Sequence, residues 1–165
     1  MGNFYTDVIQ RSPLFRSTAT CKSLDMLEPV TRAAVVAIMA ESAAAGMPLW
    51  VVETFRSQER QELLYQRGAT ELRTVGTHHF GVACDLVKDI NGEPNWSGSF
   101  DFLRVLANKH GLISGADWGE PDIHHDFVDP DHVQRCTLAQ QPALFAGTWY
   151  PPPIIQPNAQ PGAVA

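Results

Sequence analysis

Two short apolar runs, at residues 47–55 and 81–89, constrain the fold more than any other feature of this sequence. Their length and their β-branched and aromatic residues are typical of buried strands. Three segments with helical spacing lie around them, near residues 23–45, 57–68 and 99–111. Because helices and strands alternate irregularly, the sequence predicts an α+β fold rather than a doubly wound parallel sheet.

Capping residues predict where two of these helices begin and end. Pro29 is expected to mark the first turn of the first helix, with the preceding residues in a short separate turn. Ser57 is the expected N-cap of the second helix and Gly68 ends it. Leu63 and Leu64 are expected to form its inner side, with Tyr65 as a further candidate.

The remaining segments are less regular. A turn-rich stretch at residues 90–99 could form a hairpin. A loop that begins at residue 113 is expected to run into a last strand around residues 125–128. From residue 142 onward the chain is rich in proline, and no regular element is expected there. We therefore interpret residues 1–145 as one domain and residues 146–165 as a Pro-rich tail.

Composition and charge argue against nucleic acid and membranes as partners. The chain has 165 residues, a net charge of −6 and a pI near 5.4, which disfavours binding to nucleic acid. We expect no membrane insertion, because no run approaches the ~18 apolar residues of a membrane span. The three cysteines are expected to be reduced and mostly buried. The N-terminus lacks the pattern of a secretory signal, so synthesis in the cytoplasm and later release or export are expected.

Four of the six histidines stand in two doublets, at residues 78–79 and 124–125. A catalytic zinc site needs three nitrogen or oxygen ligands and one open position. His78 and Asp85 can face one point if Gly81 permits a tight bend between them. The second doublet is the densest distant source of a third ligand.

Two further residues suggest hydrolytic chemistry. Asp122 precedes His125 by three residues, where a carboxylate could take a proton from an attacking water without joining the metal. Arg56 follows the first predicted strand at the head of a helix, where its cation could face a developing oxyanion.

Three blocks of the sequence, in this order and spacing, resemble the M15 zinc peptidases. These are D-Ala-D-Ala carboxypeptidases and dipeptidases and the L-alanyl-D-glutamate endopeptidases of phage endolysins and bacterial wall hydrolases. The matching residues are Arg56, Ser57 and Gln61 in the first block, His78, Gly81, Ala83 and Asp85 in the second, and Asp117, Trp118, Asp122 and His125 in the third. One departure is Gly76, where the family usually has serine two residues before its first zinc ligand.

The resemblance implies a small antiparallel sheet flanked by helices, with a zinc cleft on the sheet. It implies Zn²⁺ held by His78, Asp85 and His125, with Asp122 as general base and Arg56 as its electrophilic partner. Trp118 would shape the cleft wall beside the substrate. The implied substrate is the stem peptide or cross-bridge of peptidoglycan, hydrolysed by a monomeric enzyme acting on the cell wall or in the periplasm.

Two other functions fit parts of the same pattern. A His-metal nuclease would also use clustered histidines and aspartates, although the acidic charge argues against it. A non-catalytic module with a structural zinc would need neither Asp122 nor Arg56. His110 and His132 are interpreted as ordinary polar residues, and the roles of His79 and His124 are left open.

Overall fold

The structure, a computed structural model, describes residues 2–118 and 127–153. Its α-helices are α1 (Phe4–Asp7), α2 (Pro29–Ala44), α3 (Gln58–Gln66), α4 (Asp101–Lys109) and α5 (Gln141–Phe145). Its strands are β1 (Leu49–Glu53), β2 (Ala83–Ile90), β3 (Glu93–Asn95), β4 (Ile113–Gly115) and β5 (Asp129–Gln134). Short 3₁₀ turns cover Ile9–Arg11, Leu24–Met26, Thr77–Phe80 and Leu138–Gln140.

The strands form one antiparallel sheet in the order β1-β2-β5-β4, and β3 pairs with β2 in a hairpin. The α+β fold predicted from the sequence is confirmed. Strand β2 is central because it pairs with β1, β3 and β5, so its side chains are held from both sides. Asp85, a metal ligand predicted from the sequence, therefore lies on the most constrained strand of the sheet.

The main core lies between the sheet and helices α2 and α4. Apolar side chains from all three layers pack there, among them Ile38, Leu86 and Leu103, each fully buried. Cys84 belongs to the same core, and the three cysteines are free and buried as expected. This packing fixes β2 relative to the helices. The opposite face of β2 is available for polar residues.

Most helix ends agree with the sequence. Pro29 begins α2 after a separate turn at Leu24–Met26, and the Ser57 side chain accepts from the backbone N–H of Arg60 at the start of α3. The inner side of α3 is different from the prediction, because Gln61 is its buried residue while Leu63 and Leu64 are only partly buried.

Three predictions for the second half of the chain are corrected. The last strand, β5, is Asp129–Gln134 rather than residues 125–128, of which 127 and 128 precede it and 125 and 126 lie outside the described residues. Strand β4 forms where a loop was expected. Residues 141–145 form α5, because a proline at the first turn of a helix loses no intrahelical hydrogen bond.

None of the helices in the described ranges has the length and apolar character needed to cross a bilayer.

Candidate metal centre

The first predicted ligand, His78, lies in the 3₁₀ turn Thr77–Phe80 directly before β2. Gly81 ends this turn with φ of 69°, a left-handed conformation that favours glycine. A Cβ at Gly81 would lie 2.5 Å from the carbonyl oxygen of Met26 and 2.6 Å from Cδ1 of Ile9. The tight bend predicted at Gly81 is therefore present, and it turns His78 back toward Asp85 on β2.

Three ligand atoms converge on one point. His78 Nε2 lies 3.1 Å from Asp85 Oδ1, His132 Nδ1 lies 2.9 Å from the same oxygen, and the two histidine nitrogens are 3.2 Å apart. His78 and His132 are buried and Asp85 is nearly so. Within residues 2–118 and 127–153, this is the group of histidine, cysteine and acidic side chains that could hold a metal ion.

Neighbouring acceptors determine which nitrogen of each histidine is free to bind. His78 Nδ1–H donates to the carbonyl oxygen of Thr54 at 3.3 Å, which leaves the lone pair on Nε2. His132 Nε2–H donates to Oε1 of Gln134 at 3.0 Å, which leaves the lone pair on Nδ1. Gln134 is itself held in this orientation, because its Nε2 donates to the carbonyl of Cys136 at 2.5 Å. Such hydrogen bonds orient the histidine ligands of metal sites.

The donor set suits zinc. Two imidazoles and one carboxylate are ligands that Zn²⁺ accepts, and three protein ligands leave a fourth position open. Ligand atoms about 2.0–2.2 Å from a tetrahedral ion lie about 3.3–3.6 Å apart. The observed separations of 2.9–3.2 Å are close to this range, so a small outward movement would admit the ion.

The sequence predicts His132 to be an ordinary polar residue, and this prediction is corrected. His132 lies with His78 in the candidate metal centre, on β5 opposite Asp85 on β2. A signal was present in the sequence, because Asp129 precedes His132 by the same three residues that separate Asp122 from His125. His125, Asp122 and the spare His124 lie outside the described residues, so their assigned roles remain predictions.

Asp129 stands beside this centre at the start of β5. The pairing of β4 and β5 is irregular here, because Ser114 pairs with Val133 and Gly115 with Asp129. In a regular strand, residues three apart project to opposite faces. Because of this irregularity, that rule does not apply to His132 and Asp129. A Cβ at Gly115 would collide with the backbone oxygen of Asp129, so this close approach requires glycine.

Burial and neighbouring charges shift the pKa values of three groups in and beside the centre. Burial raises the pKa of Asp85, but the charges and hydrogen bonds of His78 and His132 outweigh it and hold that pKa well below the usual range. Burial lowers the pKa of His132, but the hydrogen bond to Asp85 and its charge raise it overall. Burial, then a hydrogen bond with Asp131, raises the pKa of Asp129 to about 7.

Arg56 is next to the centre, as its predicted role requires. Its Nη2 lies 3.7 Å from Oδ2 of Asp85, the carboxylate oxygen turned away from the histidines. Its Nε donates to Glu53 at 2.7 Å and its Nη1 to Gln61 at 3.3 Å. The guanidinium is thus held from behind by side chains of β1 and α3.

Trp118 and His79 also have defined positions. The Trp118 ring packs against His132 with centroids 5.0 Å apart, so it forms part of the wall beside the centre. His79 points the other way, into a group of aromatic rings that includes Tyr5 and Phe15. Its Nδ1–H donates to the carbonyl of Arg56 at 3.1 Å and its Nε2 accepts from the Tyr5 hydroxyl at 2.8 Å. His79 therefore secures the backbone beside the site.

Solved structures of known peptidases share this fold. The chain matches the Serratia marcescens L-Ala D-Glu endopeptidase ChiX with a TM-score of 0.50 at 22% identity, over 74% of this chain and 92% of ChiX. It matches the LD-carboxypeptidase LdcB with a TM-score of 0.52 at 17% identity, over 73% of this chain and 64% of LdcB. It matches the Zn(II) complex of the E175A mutant of the D,D-pentapeptidase VanY with a TM-score of 0.51 at 13% identity, over 73% of this chain and 78% of VanY.

No protein-family model and no curated protein sequence matches the chain. The fold expected from the resemblance to zinc peptidases is confirmed by the solved structures. At these identities the likeness establishes the architecture, and the chemistry has to be argued from the site itself.

Proposed function

We propose that the protein is a zinc-dependent peptidoglycan hydrolase that cleaves an amide bond in a stem peptide or cross-bridge. The observation that carries this proposal is the convergence of His78, Asp85 and His132, with each imidazole oriented by its own acceptor. The structural neighbours are named as peptidases, one of them in connection with peptidoglycan recognition, and this supports the substrate class. In this proposal His132 replaces His125 as the third ligand.

A bound zinc ion would act as a Lewis acid that activates water and polarises the scissile carbonyl. The protein's own groups supply the rest. Asp129 is the proposed general base, since its carboxylate stands three residues before His132 and is partly buried beside the centre. It would take a proton from the attacking water and return it to the leaving amine. Arg56 would face the negative charge that develops on the carbonyl oxygen.

The two candidate bases can be separated directly. In zinc-loaded protein, Asp129→Asn is expected to lower the rate of muropeptide cleavage by about 10²–10⁴-fold while zinc stays bound. Asp122→Asn, the matched change at the residue predicted first, is expected to leave the rate within a few-fold. Digests analysed by mass spectrometry would also identify the bond that is cut. A wild-type protein that holds zinc and cleaves no muropeptide would contradict the proposal.

The proposed site of action is the cell wall or periplasm, because peptidoglycan is found there. Incubation of purified sacculi with the zinc-loaded protein tests this without assuming which bond is cut. Release of soluble peptide fragments is the expected result. Sacculi that remain intact, together with isolated stem peptides that are cut, would restrict the substrate to soluble fragments.

A further inference from the structure

Glu53, at the end of β1, is a buried carboxylate that lies outside the proposed catalytic group. Its side chain is 3% exposed, and it accepts hydrogen bonds from two arginines. Oε2 accepts from Nε of Arg56 at 2.7 Å and is also paired with Nη2 of Arg56, while Oε1 accepts from Nε of Arg60. A carboxylate this deeply buried is stable only when its charge is paired.

The position of Glu53 follows from an irregularity in the sheet. The register between β1 and β2 shifts between Val51 and Glu53, and this shift places Glu53 opposite Asp85. Two carboxylates opposite each other on neighbouring strands repel. Arg56 contacts both of them, because its Nη2 is paired with Glu53 and lies 3.7 Å from Asp85 Oδ2. The guanidinium is therefore placed between the metal-binding carboxylate and a second acid that has no ligand role.

Arg60 explains why Glu53 does not simply cancel the charge of Arg56. It occupies the first turn of α3, where the helix dipole disfavours a cation, yet its side chain is directed to Glu53 and is only 16% exposed. One carboxylate shared by two guanidinium groups leaves a net positive charge. The three side chains can thus present a cation beside the metal centre while Glu53 remains neutralised.

We propose that Glu53 is the positioning residue for Arg56, and that Arg60 preserves the positive charge of the pair. This inference rests on the proposed function, in which Arg56 faces the developing oxyanion. Glu53 holds Arg56 by its Nε and by Nη2, which fixes the orientation of the guanidinium beside Asp85. Its contribution to the reaction passes through Arg56 alone.

Kinetics of Glu53→Gln test this route. The variant is expected to lower kcat by about 10–100-fold, with KM within about threefold of wild type and one zinc ion per chain at saturating metal. In an Arg56→Ala background the same change should have less than about a twofold effect, because there is no longer a guanidinium to position. The inference would be overturned if Glu53→Gln lowered kcat equally in the wild-type and Arg56→Ala backgrounds, or if its kcat in the wild-type background were unchanged.

Glu62→Gln is the matched control. Glu62 also lies on the α3 side of the molecule and pairs with an arginine, since Arg73 Nε donates to it at 3.0 Å, but that pair is exposed. Its loss should leave kcat and KM unchanged. Glu53→Asp, which keeps the charge and shortens the side chain, provides a second variant if Glu53→Gln does not fold, with an expected kcat between those of Glu53→Gln and wild type.

A second measurement needs no activity. In ¹⁵N-correlated NMR spectra of wild-type protein, the Nε–H groups of Arg56 and Arg60 should give two exchange-protected resonances shifted downfield by the ionised acceptor. Both should move toward the position of exposed arginines in Glu53→Gln and stay in place in Glu62→Gln. Absence of the protected Arg56 resonance in wild type would refute the positioning role, even if muropeptides are cleaved. An inactive wild-type protein with both resonances would instead refute the proposed function.

Discussion

Nδ1 of His132 lies 2.9 Å from Oδ1 of Asp85, across the neighbouring strands β5 and β2. The two residues are 47 positions apart in the sequence and are paired directly in the sheet. Because antiparallel partners on neighbouring strands project to the same face, this pairing brings a ligand from β5 to the ligands of β2. The register of one strand pair thus decides which histidine can join the centre.

The first prediction is that His132, and not His125, is required for zinc binding. His132→Ala removes one of three ligand atoms. Loss of a hydrogen bond that supports a ligand typically lowers metal affinity about 10–100-fold, and the loss of the ligand itself should lower zinc affinity further. His125→Ala, the matched change at the residue predicted from the sequence, should keep one zinc ion per chain. Metal content by mass spectrometry after dialysis, with a competitive chelator titration, checks both. The reverse result would restore His125 as the ligand.

Two of the three ligands of the candidate metal centre could be predicted from the sequence, for a local reason. His78 and Asp85 are seven residues apart, and the glycine between them specifies a bend, so their proximity follows from short-range geometry. The third ligand depends on strand pairing between distant segments. Two acid-x-x-His patterns, ending at His125 and His132, fit equally well until the register of β5 is known.

The same reasoning explains where the prediction of the fold was wrong or incomplete. Strand β4 has only three residues, Ile113–Gly115, and its existence depends on pairing with β5 rather than on its own composition. Glu53 had no local pattern to identify it, because the irregular register of β1 alone brings it opposite Asp85. Helix α2 was recognisable because its apolar spacing and its proline at the first turn are properties of the segment itself.

The second prediction concerns Gln134, which orients His132. Gln134→Met keeps the volume and removes the acceptor of His132 Nε2–H, so the imidazole is no longer held with its Nδ1 toward the centre. Zinc affinity should fall about 10–100-fold with the ligand set intact. Gln141→Met is a suitable control, since Gln141 contacts Gln134 at 3.4 Å and does not contact His132 among the described interactions. Equal zinc affinity in both variants would contradict the role of Gln134.

The third prediction concerns the pH dependence of stability. Rising pH should destabilise the metal-free protein, and zinc should reverse this trend. In metal-free protein the raised pKa of His132 and the pKa of about 7 of Asp129 mean that the folded state binds more protons than the unfolded state. The Asp129 contribution is lost as pH rises from about 4 to 7, and the His132 contribution is lost as pH rises above the ordinary histidine pKa of about 6.5. The lowered pKa of Asp85 adds stability that is already complete above about pH 5. The metal-free protein should therefore melt a few degrees lower at pH 8 than at pH 5.5.

Zinc should reverse this trend, because protons and metal compete for His132 and Asp85. The increase in Tm on adding zinc is expected to be larger at pH 8 than at pH 5.5, by an amount that grows with zinc concentration. Thermal unfolding followed by circular dichroism with and without a chelator measures both effects. The His132→Ala variant is the control, in which the zinc-dependent increase should largely disappear. An increase in Tm independent of pH would show that protonation of the centre is not linked to metal binding.

The fourth prediction separates backbone strain from steric collision at Gly81. Gly81 and Gly111 both have positive φ, 69° and 75°, but a Cβ at Gly111 would meet nothing within 4 Å. Gly111→Ala should cost only the conformational penalty, about 1 kcal/mol. Gly81→Ala adds contacts of 2.5 and 2.6 Å with Met26 and Ile9, so the chain must shift and the free energy of unfolding should fall by several-fold more than in Gly111→Ala. Urea denaturation measures the free energy of unfolding of both variants.

Zinc affinity should fall in Gly81→Ala alone, because the bend at Gly81 sets the position of His78 relative to Asp85. Equal losses of stability in the two variants would mean that the segment around Met26 yields without cost, and unchanged zinc affinity in Gly81→Ala would mean that the bend does not position His78.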